Sequence, residues 1–271
     1  MLDTECMLAK QRHDRIRARV RAQGAVRVSD LVAELGVSDM TVRRDISELA
    51  AKGVLRKVHG GAVDAAATAH EPAFESKRAL ALDEKRAIAR EALASVQPGS
   101  SVALSAGTTT QLLAEAIAAR ADLRPLTVVT NSLPAADTLF RAGHGIEVVL
   151  TGGSRTPSDA LVGPLAVTAL ENLRVDVLFL GAHGLDADGL TTPNLLEAET
   201  NRALARAASR VVVVADSSKW GTVGLSRILP LAEVDVLVTD DALEPEARTA
   251  LADAGTSLHL VPTHPLQDGA T

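Results

Sequence analysis

Apolar positions recur along the chain in two rhythms, and the change from one to the other divides it. From Met7 to Ala22, Leu8, Ile16 and Val20 stand among Arg12, Arg15, Arg17, Arg19 and Arg21, the spacing of an amphipathic helix that Gly24 ends. Ser29 is placed to N-cap a second, short helix with Leu31, Val32 and Leu35 on its buried face and Gly36 as its stop. Ser38 is the N-cap candidate of a third helix that runs to about Lys52, where Gly53 ends it. Val54 to Val63 then alternates short apolar and basic residues around Gly60-Gly61, which predicts a two-stranded ribbon with a glycine turn. Residues 64–80 hold an Ala-rich run, His70 and Pro72 without sustained period; they read as a linker, with Phe74 expected to dock on a neighbouring surface.

The second rhythm begins with a helix, Leu82 to Val96, ended by Pro98-Gly99. Short apolar runs follow at Ser101–Leu104, Thr127–Thr130, Glu147–Leu150, Val175–Leu180, Val211–Ala215, Val234–Val238 and Leu258–Val261. Helical patterns at about Thr109–Ala119, Ala135–Ala142, Leu161–Leu173, Leu195–Ala208 and Glu244–Ala254 separate most of them. Aliphatic strands alternating with helices predict a mainly parallel sheet covered on both faces, an open Rossmann-like α/β domain. The predicted organisation is therefore a three-helix head with a winged helix-turn-helix plan at 8–63, a linker at 64–80 and an α/β body at 81–262. With only four aromatic residues, the cores must be built from Val, Leu, Ile and Ala.

Composition narrows the function classes. Of 271 residues, 46% are hydrophobic, which excludes a disordered chain, and the longest purely aliphatic run, Val211–Ala215, is far too short to span a bilayer. The basic stretch Met1–Arg21 has no apolar core of a secretory signal, so a cytoplasmic protein without membrane association is expected. Cys6 is the only cysteine, which excludes an intrachain disulfide and any multi-cysteine metal site. The net charge of −6 hides an asymmetry: 12 Lys/Arg against 8 Asp/Glu up to Val63, then 16 against 26. A basic head on an acidic body suits a nucleic-acid contact by the head.

Helix geometry says which residues make that contact. At 100° per residue, Val42, Ile46 and Leu49 cluster within about 60° and form the buried stripe of the third helix. Arg44 then points away from the core, flanked by Met40, Thr41, Ser47 and Glu48, with Arg43 at the edge. Ser38, Thr41, Arg43 and Arg44 form a face suited to a major groove, where arginine donates two hydrogen bonds to guanine and hydroxyls reach phosphates or bases. Arg56, Lys57 and His59 on the ribbon are placed to add contacts to the DNA backbone. Paired arginines alone describe many solvated helix faces; the arrangement of short helix, turn, basic helix and basic ribbon is what points to operator DNA.

In an open α/β sheet, ligands bind where the strands end, and four strand ends here carry suitable groups. Ser101–Leu104 runs into Ser105-Ala106-Gly107-Thr108-Thr109-Thr110 and a helix, an anion nest of free N–H groups and hydroxyls. Thr130-Asn131-Ser132, Thr151-Gly152-Gly153-Ser154 and Asp216-Ser217-Ser218-Lys219 each follow another strand. Each alone is also an ordinary capped turn; together on one rim they predict a site for a polyhydroxylated anion. No GxxxxGK[ST] and no GxGxxG occurs, so no nucleotide cofactor is expected. No G-x-S-x-G elbow supports a hydrolase. His183, Asp186 and Asp188 lack calcium-loop spacing and read as a polar turn rather than a metal site. His259, within a strand, reads as a core or edge histidine.

Val37-Ser38-Asp39-Met40-Thr41-Val42-Arg43-Arg44-Asp45-Ile46, followed by Leu49, Gly53, Leu55, Arg56 and His59-Gly60-Gly61-Ala62, resembles the head of DeoR-type bacterial transcriptional regulators. The four strand-end loops resemble the effector domain of the same family, whose fold is related to ribose-5-phosphate isomerase and which binds phosphorylated sugars. The resemblance implies a repressor of carbohydrate genes that binds operator DNA under control of a sugar phosphate; the small contact area of one head adds the expectation of an oligomer that holds two or more heads. It implies effector contacts at Gly107, Thr108, Thr109, Thr110, Asn131, Gly152, Gly153 and Lys219, with Glu197 or Glu199 as a weaker candidate; Ser132 joins them from the strand-end reading. One departure stands out: Ser105 occupies a position that is usually acidic in the family. The competing reading is a sugar-phosphate isomerase with an accessory head, using Lys219 with Glu197 or Asp216 as acid and base. A third is a DNA-binding protein whose body only oligomerises.

Overall fold

The computed structural model describes residues 8–23, 25–58, 60–64, 78 and 80–263. Cys6, His59, Phe74 and most of the expected linker lie outside the described residues. The chain divides into two compact units, Met1–Pro72 and Ala73–Thr271.

The first unit comprises α1 (Ala9–Gln23), β1 (Ala25–Arg27), α2 (Val28–Leu35), α3 (Asp39–Ala51), β2 (Leu55–Val58) and β3 (Gly61–Asp64). The apolar stripes of the three helices meet in one core that includes Ile16, Val20, Leu31, Leu35, Val42, Ile46 and Leu49. Gly36 and Gly53, both in the left-handed region, end α2 and α3 as expected. Two expectations fail for physical reasons. Leu8 is 69% exposed: it precedes the first turn of α1, and its helical phase lies about 80° from that of Ile16. Ser29 is not an N-cap, because β1 pairs with β3 and runs straight into α2. The Val28 N–H, at the first position of the helix, donates to the Gly60 carbonyl at 2.7 Å. The ribbon is accordingly the core of a three-stranded sheet, in the order β1-β3-β2.

The second unit opens with α4 (Leu82–Leu93) and continues through β4 (Ser101–Leu104), α5 (Thr108–Ala118), β5 (Leu126–Thr130), α6 (Leu133–Arg141) and β6 (Ile146–Leu150). Then come β7 (Ser154–Arg155), β8 (Leu161–Val162), α7 (Pro164–Glu171), β9 (Val177–Gly181), β10 (Gly184–Asp186), β11 (Gly189–Thr192) and α8 (Leu195–Ala207). It closes with β12 (Val211–Val214), β13 (Ser226–Leu229), β14 (Val236–Asp240), α9 (Pro245–Asp253) and β15 (Ser257–Val261). Seven strands form one sheet in the order β15-β14-β12-β9-β4-β5-β6, and every pairing in it is parallel. Successive residues of a strand enter opposite cores: Val102 and Leu104 pack with α4 and α5, Ala103 with α8. Burial on both faces is why these strands read as continuous aliphatic runs.

The helix expected from Leu161 begins only at Pro164. Leu161–Val162 pairs antiparallel with Ser154–Arg155, and Gly163 then caps the helix with proline at its first position. The small antiparallel sheet β10-β11-β13 was not among the expected strands. No described helix is long and apolar enough to cross a membrane.

Strand order also fixes the topological switch point of the sheet. From β4 the chain builds outward through β5 to β6, then crosses to β9 on the other side of β4 and proceeds to β12, β14 and β15. The carboxyl ends of β4 and β9 flank this switch point, where an open parallel sheet leaves a gap.

Candidate functional site

On the first unit, Ser38 caps α3: its hydroxyl accepts from the Thr41 N–H at 3.3 Å and shares a hydrogen bond with the Thr41 hydroxyl at 2.9 Å. Val42, Ile46 and Leu49 are buried, which turns the opposite side of the helix to solvent. Arg44 is 82% exposed there, its Nε donating to Glu48 at 3.2 Å. Arg43 donates to both carboxylate oxygens of Asp39, at 2.5 and 3.3 Å, and this hydrogen bond raises the pKa of its guanidinium further. Both arginines are thus held extended along the helix by carboxylates one turn away. Lys57 is exposed on β2, which also carries Arg56; His59 lies outside the described residues.

The residue missed on this helix is Asp45. It is 3% exposed, and its carboxylate accepts from Arg12 Nε at 2.7 Å and Nη2 at 3.1 Å, with His13 Nε2 at 3.1 Å. Burial pushes its pKa up, but the Arg12 hydrogen bond and charge, with those of His13, outweigh it and hold the carboxyl below its ordinary range. The signal was present in the sequence. Position 45 falls about 60° from Val42, on the buried side, and an acid there requires a cation; Arg12 and His13 precede Ile16 by one turn on α1. The cluster pins α3 against α1 and so fixes the presentation of the arginine face.

On the second unit, the parallel sheet sends all four anticipated loops off the same edge, and hydrogen bonds tie those after β4, β5 and β6 together. Asn131 Oδ1 accepts from the Ala106 N–H at 2.8 Å, and its Nδ2 donates to the Leu161 carbonyl at 3.2 Å. Ser105, fully buried, accepts from the Gly181 N–H at 3.0 Å and so links the ends of β4 and β9 across the switch point. Thr110 is also buried and donates to the Gly107 carbonyl at 3.0 Å, while Ser132 caps α6. Thr109 is buried, whereas Gly107 and Thr108 remain half-buried at the start of α5. Thr110, Asn131 and Ser132 therefore spend their polar groups in shaping the loops, and Gly107 and Thr108 offer the accessible backbone.

Gly152 and Gly153 follow β6, both with positive φ. A Cβ at Gly153 would stand 2.5 Å from the Val162 carbonyl oxygen, so only glycine lets this loop lie against β8. Glu197, in the first turn of α8, accepts from the Thr156 hydroxyl at 2.9 Å and the Thr192 hydroxyl at 3.4 Å, with Glu199 two residues further along. Lys219 ends a short 3-10 turn after β12 and is half-buried.

Two more charged residues at this edge, Lys85 and Asp240, escaped sequence reading. Lys85 is 2% exposed in the first turn of α4, its Nζ donating to the Leu80 carbonyl at 2.5 Å. Asp240, at the end of β14, accepts from the Ser217 N–H at 2.7 Å and hydroxyl at 2.6 Å. Burial pushes the Asp240 carboxyl up; the Ser217 bonds partly offset this, and the charges of Asp216 and Glu84 add to it. Asp216 is buried beside it and accepts from the Ser218 hydroxyl. α4 packs on β12 and β14, and the charge of Glu84 in its first turn acts on Asp240.

The weaker candidates resolve into structural roles. Asp186 Oδ1 accepts from the N–H groups of Asp188 and Gly189, at 2.9 and 3.2 Å, and so forms the β10–β11 turn. His259 lies on the edge strand β15, 3.3 Å from Glu91.

The family description DeoR-like helix-turn-helix domain matches residues 12–67, and DeoR C terminal sensor domain matches residues 80–241. The chain is 37% identical over 235 residues to a lactose phosphotransferase system repressor of Staphylococcus epidermidis, covering 85% of this chain and 91% of that one. It is 31% identical over 256 residues to the glycerol-3-phosphate regulon repressor of Escherichia coli, covering 94% and 100%. Among solved structures, ribose 5 phosphate isomerase A from Neisseria gonorrhoeae aligns with 51% of this chain and 53% of its own at 19% identity and a TM-score of 0.38. With a DNA-binding head and a sensor body that both match, over nearly the whole chain, the protein belongs to the DeoR family of transcriptional regulators.

Proposed function

We propose that this regulator represses genes of carbohydrate metabolism by binding operator DNA through α3 and that a phosphorylated sugar on the rim of its sensor sheet controls the binding. The observation that carries the reading is the exposed Arg44 face, set opposite the buried stripe of a capped helix. In a major groove, Arg44 donates to guanine, Arg43 exchanges Asp39 for DNA, and Ser38 and Thr41 meet phosphate at the positive end of the helix. Arg56, Lys57 and His59 add phosphate contacts, which position the head without specifying sequence.

The effector's phosphate lies at the start of α5, against the N–H groups around Gly107 and Thr108, with Lys219 as its cation. Gly152 and Gly153 leave room for it, Asn131 and Ser132 shape the floor, and Glu197 meets sugar hydroxyls. That curated relatives are named for a glycerol-3-phosphate regulon and a lactose phosphotransferase system supports a small phosphorylated carbohydrate. Such an effector shifts repression only by the difference in its affinity for the DNA-competent and DNA-incompetent arrangements; a coupling of about 1–3 kcal/mol changes operator affinity about 5–150-fold.

One head covers too little DNA for tight binding, so the working protein is an oligomer acting on repeated half-sites in the cytoplasm. The body serves as a sensor rather than a catalyst, a reading supported by the match of residues 80–241 to a sensor domain. A monomeric mass by light scattering, with and without DNA, would contradict the oligomer, and turnover of pentose or hexose phosphates would contradict the absence of catalysis.

The decisive test is Arg44→Ala in a gel-shift assay on the DNA upstream of the protein's own gene. The variant should keep the wild-type circular dichroism spectrum and lose about 1–3 kcal/mol of operator binding. Unchanged affinity would remove α3 as the recognition helix.

A further inference from the structure

We infer that Met40 reads the 5-methyl group of a thymine in the operator, as a specificity-determining residue beside Arg44. This rests on the reading of α3 as the recognition helix. Met40 is 75% exposed, although methionine is an apolar residue and the helix has a complete buried stripe without it. It stands one turn before Arg43 and Arg44, on the side of the helix that they occupy. Its neighbours Ser38, Asp39 and Thr41 are polar, so the thioether is an isolated apolar tip within a charged surface. Leu8 is the only other exposed large apolar side chain described in this unit, which leaves no patch of the few hundred Å² that a protein partner would need.

The basic excess of the head, 12 Lys/Arg against 8 Asp/Glu up to Val63, favours a polyanion, and duplex DNA has one apolar feature on its major-groove edge, the thymine methyl. Methionine has the unbranched length and rotational freedom to reach it. Four residues of helix span about 6 Å, and successive base pairs lie about 3.4 Å apart. The thymine therefore falls within about two base steps of the guanine that Arg44 contacts.

The experiment uses the full chain and a duplex that it enriches from a random-sequence pool. Each thymine is replaced in turn by deoxyuridine, which deletes the methyl and keeps every hydrogen-bonding group; each guanine is replaced by 7-deazaguanine to find the Arg44 contact. The wild-type protein should lose about fourfold in affinity at one thymine per half-site, the effect of removing one buried methyl-sized group. That thymine should lie within about two steps of a guanine at which 7-deazaguanine weakens the wild type but not Arg44→Ala. Met40→Ala should bind the unmodified duplex about fourfold more weakly and show no further loss with deoxyuridine at that site. Wild-type binding that ignores every methyl, or a Met40→Ala protein that keeps the methyl sensitivity, overturns the assignment while leaving the Arg44 contact standing. If Arg44→Ala binds like the wild type, or no duplex is enriched, the recognition-helix reading fails, and the Met40 assignment falls with it.

Discussion

Asp45→Ala tests whether the buried ion cluster of the first unit holds α3 in place. The side chains of Asp45, Arg12 and His13 are 4%, 13% and 14% exposed. The substitution removes the acceptor of contacts at 2.7, 3.1 and 3.1 Å and leaves the Arg12 guanidinium covered without its carboxylate. Breaking a buried pair from one side costs about 3–5 kcal/mol, and because Arg12 keeps some access to water the lower figure, about 3 kcal/mol, applies. In a unit of this size each kcal/mol moves the melting temperature by about 4–8 °C, so a fall of about 12–24 °C is expected.

The two units can be followed separately in the intact protein. Trp220 is the only tryptophan, there is no tyrosine, and it lies in the second unit, so its fluorescence reports that unit, whereas far-UV ellipticity also follows α1 to α3. Asp45→Ala should lower an ellipticity transition and leave the Trp220 transition in place. Arg12→Met combined with Asp45→Leu should recover most of the loss, because the Arg12 charge is then not stranded. The pH dependence has a definite sign. The folded-state pKa of Asp45 is below 3.8, so its contribution is present above that value and is lost as the pH falls through the folded one; Asp45→Asn should flatten this acid loss. An unchanged ellipticity transition in Asp45→Ala would refute the structural role of the cluster.

Three further outcomes are expected on the sensor unit. Lys219→Ala should retain operator binding in gel shift but no longer respond to a sugar phosphate that shifts the wild type; normal derepression would remove Lys219 from the phosphate contact. Gly153→Ala should destabilise the second unit by about 2 kcal/mol or more, read as a lower Trp220 denaturation midpoint, since its φ of +119° and the 2.5 Å approach to the Val162 carbonyl both oppose a side chain, and a wild-type midpoint would contradict this. Asp240→Asn preserves partners for Ser217 while removing a charge whose folded-state pKa is raised. That group costs stability once the pH rises above 3.8, so the variant should unfold at a higher midpoint at pH 7 and match the wild type in acid; a lower midpoint at pH 7 would refute it.

What could be read from the sequence was what local physics decides. Ser38 and the glycines after α2 and α3 act within a few residues, so the helix ends were legible, and strands buried on both faces announce themselves as aliphatic runs. The strand-end loops were legible because parallel strands must release them on one edge. Ser29 misled because β1 satisfies the start of α2 through pairing with a strand some 35 residues away, a non-local event. Leu161–Val162 misled because two apolar residues before a proline fit a helix start as well as a short strand. Lys85 was invisible for a simpler reason: in the first turn of a helix beside Asp83 and Glu84, a lysine reads as solvated, and only the tertiary fold buries it.

The hydrogen bonds of the rim also change how a lost effector response should be interpreted. Asn131 joins Ala106 to Leu161, and Ser105 joins β4 to β9, so three strand ends move together or not at all. Removing the Asn131 amide strands the Ala106 N–H and the Leu161 carbonyl, and it loosens the loop that presents Gly107 and Thr108 even if the amide never touches the ligand. A loss of response in Asn131→Ala is therefore expected to come with a lower midpoint for the second unit, whereas Lys219→Ala, at a half-buried side chain, should lose the response with the midpoint intact. If both variants lost the response without a change in stability, Asn131 would belong among the ligand contacts. The same ties give the effector a route to influence: a phosphate that draws in the start of α5 must pull on Asn131 through Ala106, and it shifts the protein's equilibrium to the extent that only one arrangement of these loops accommodates it.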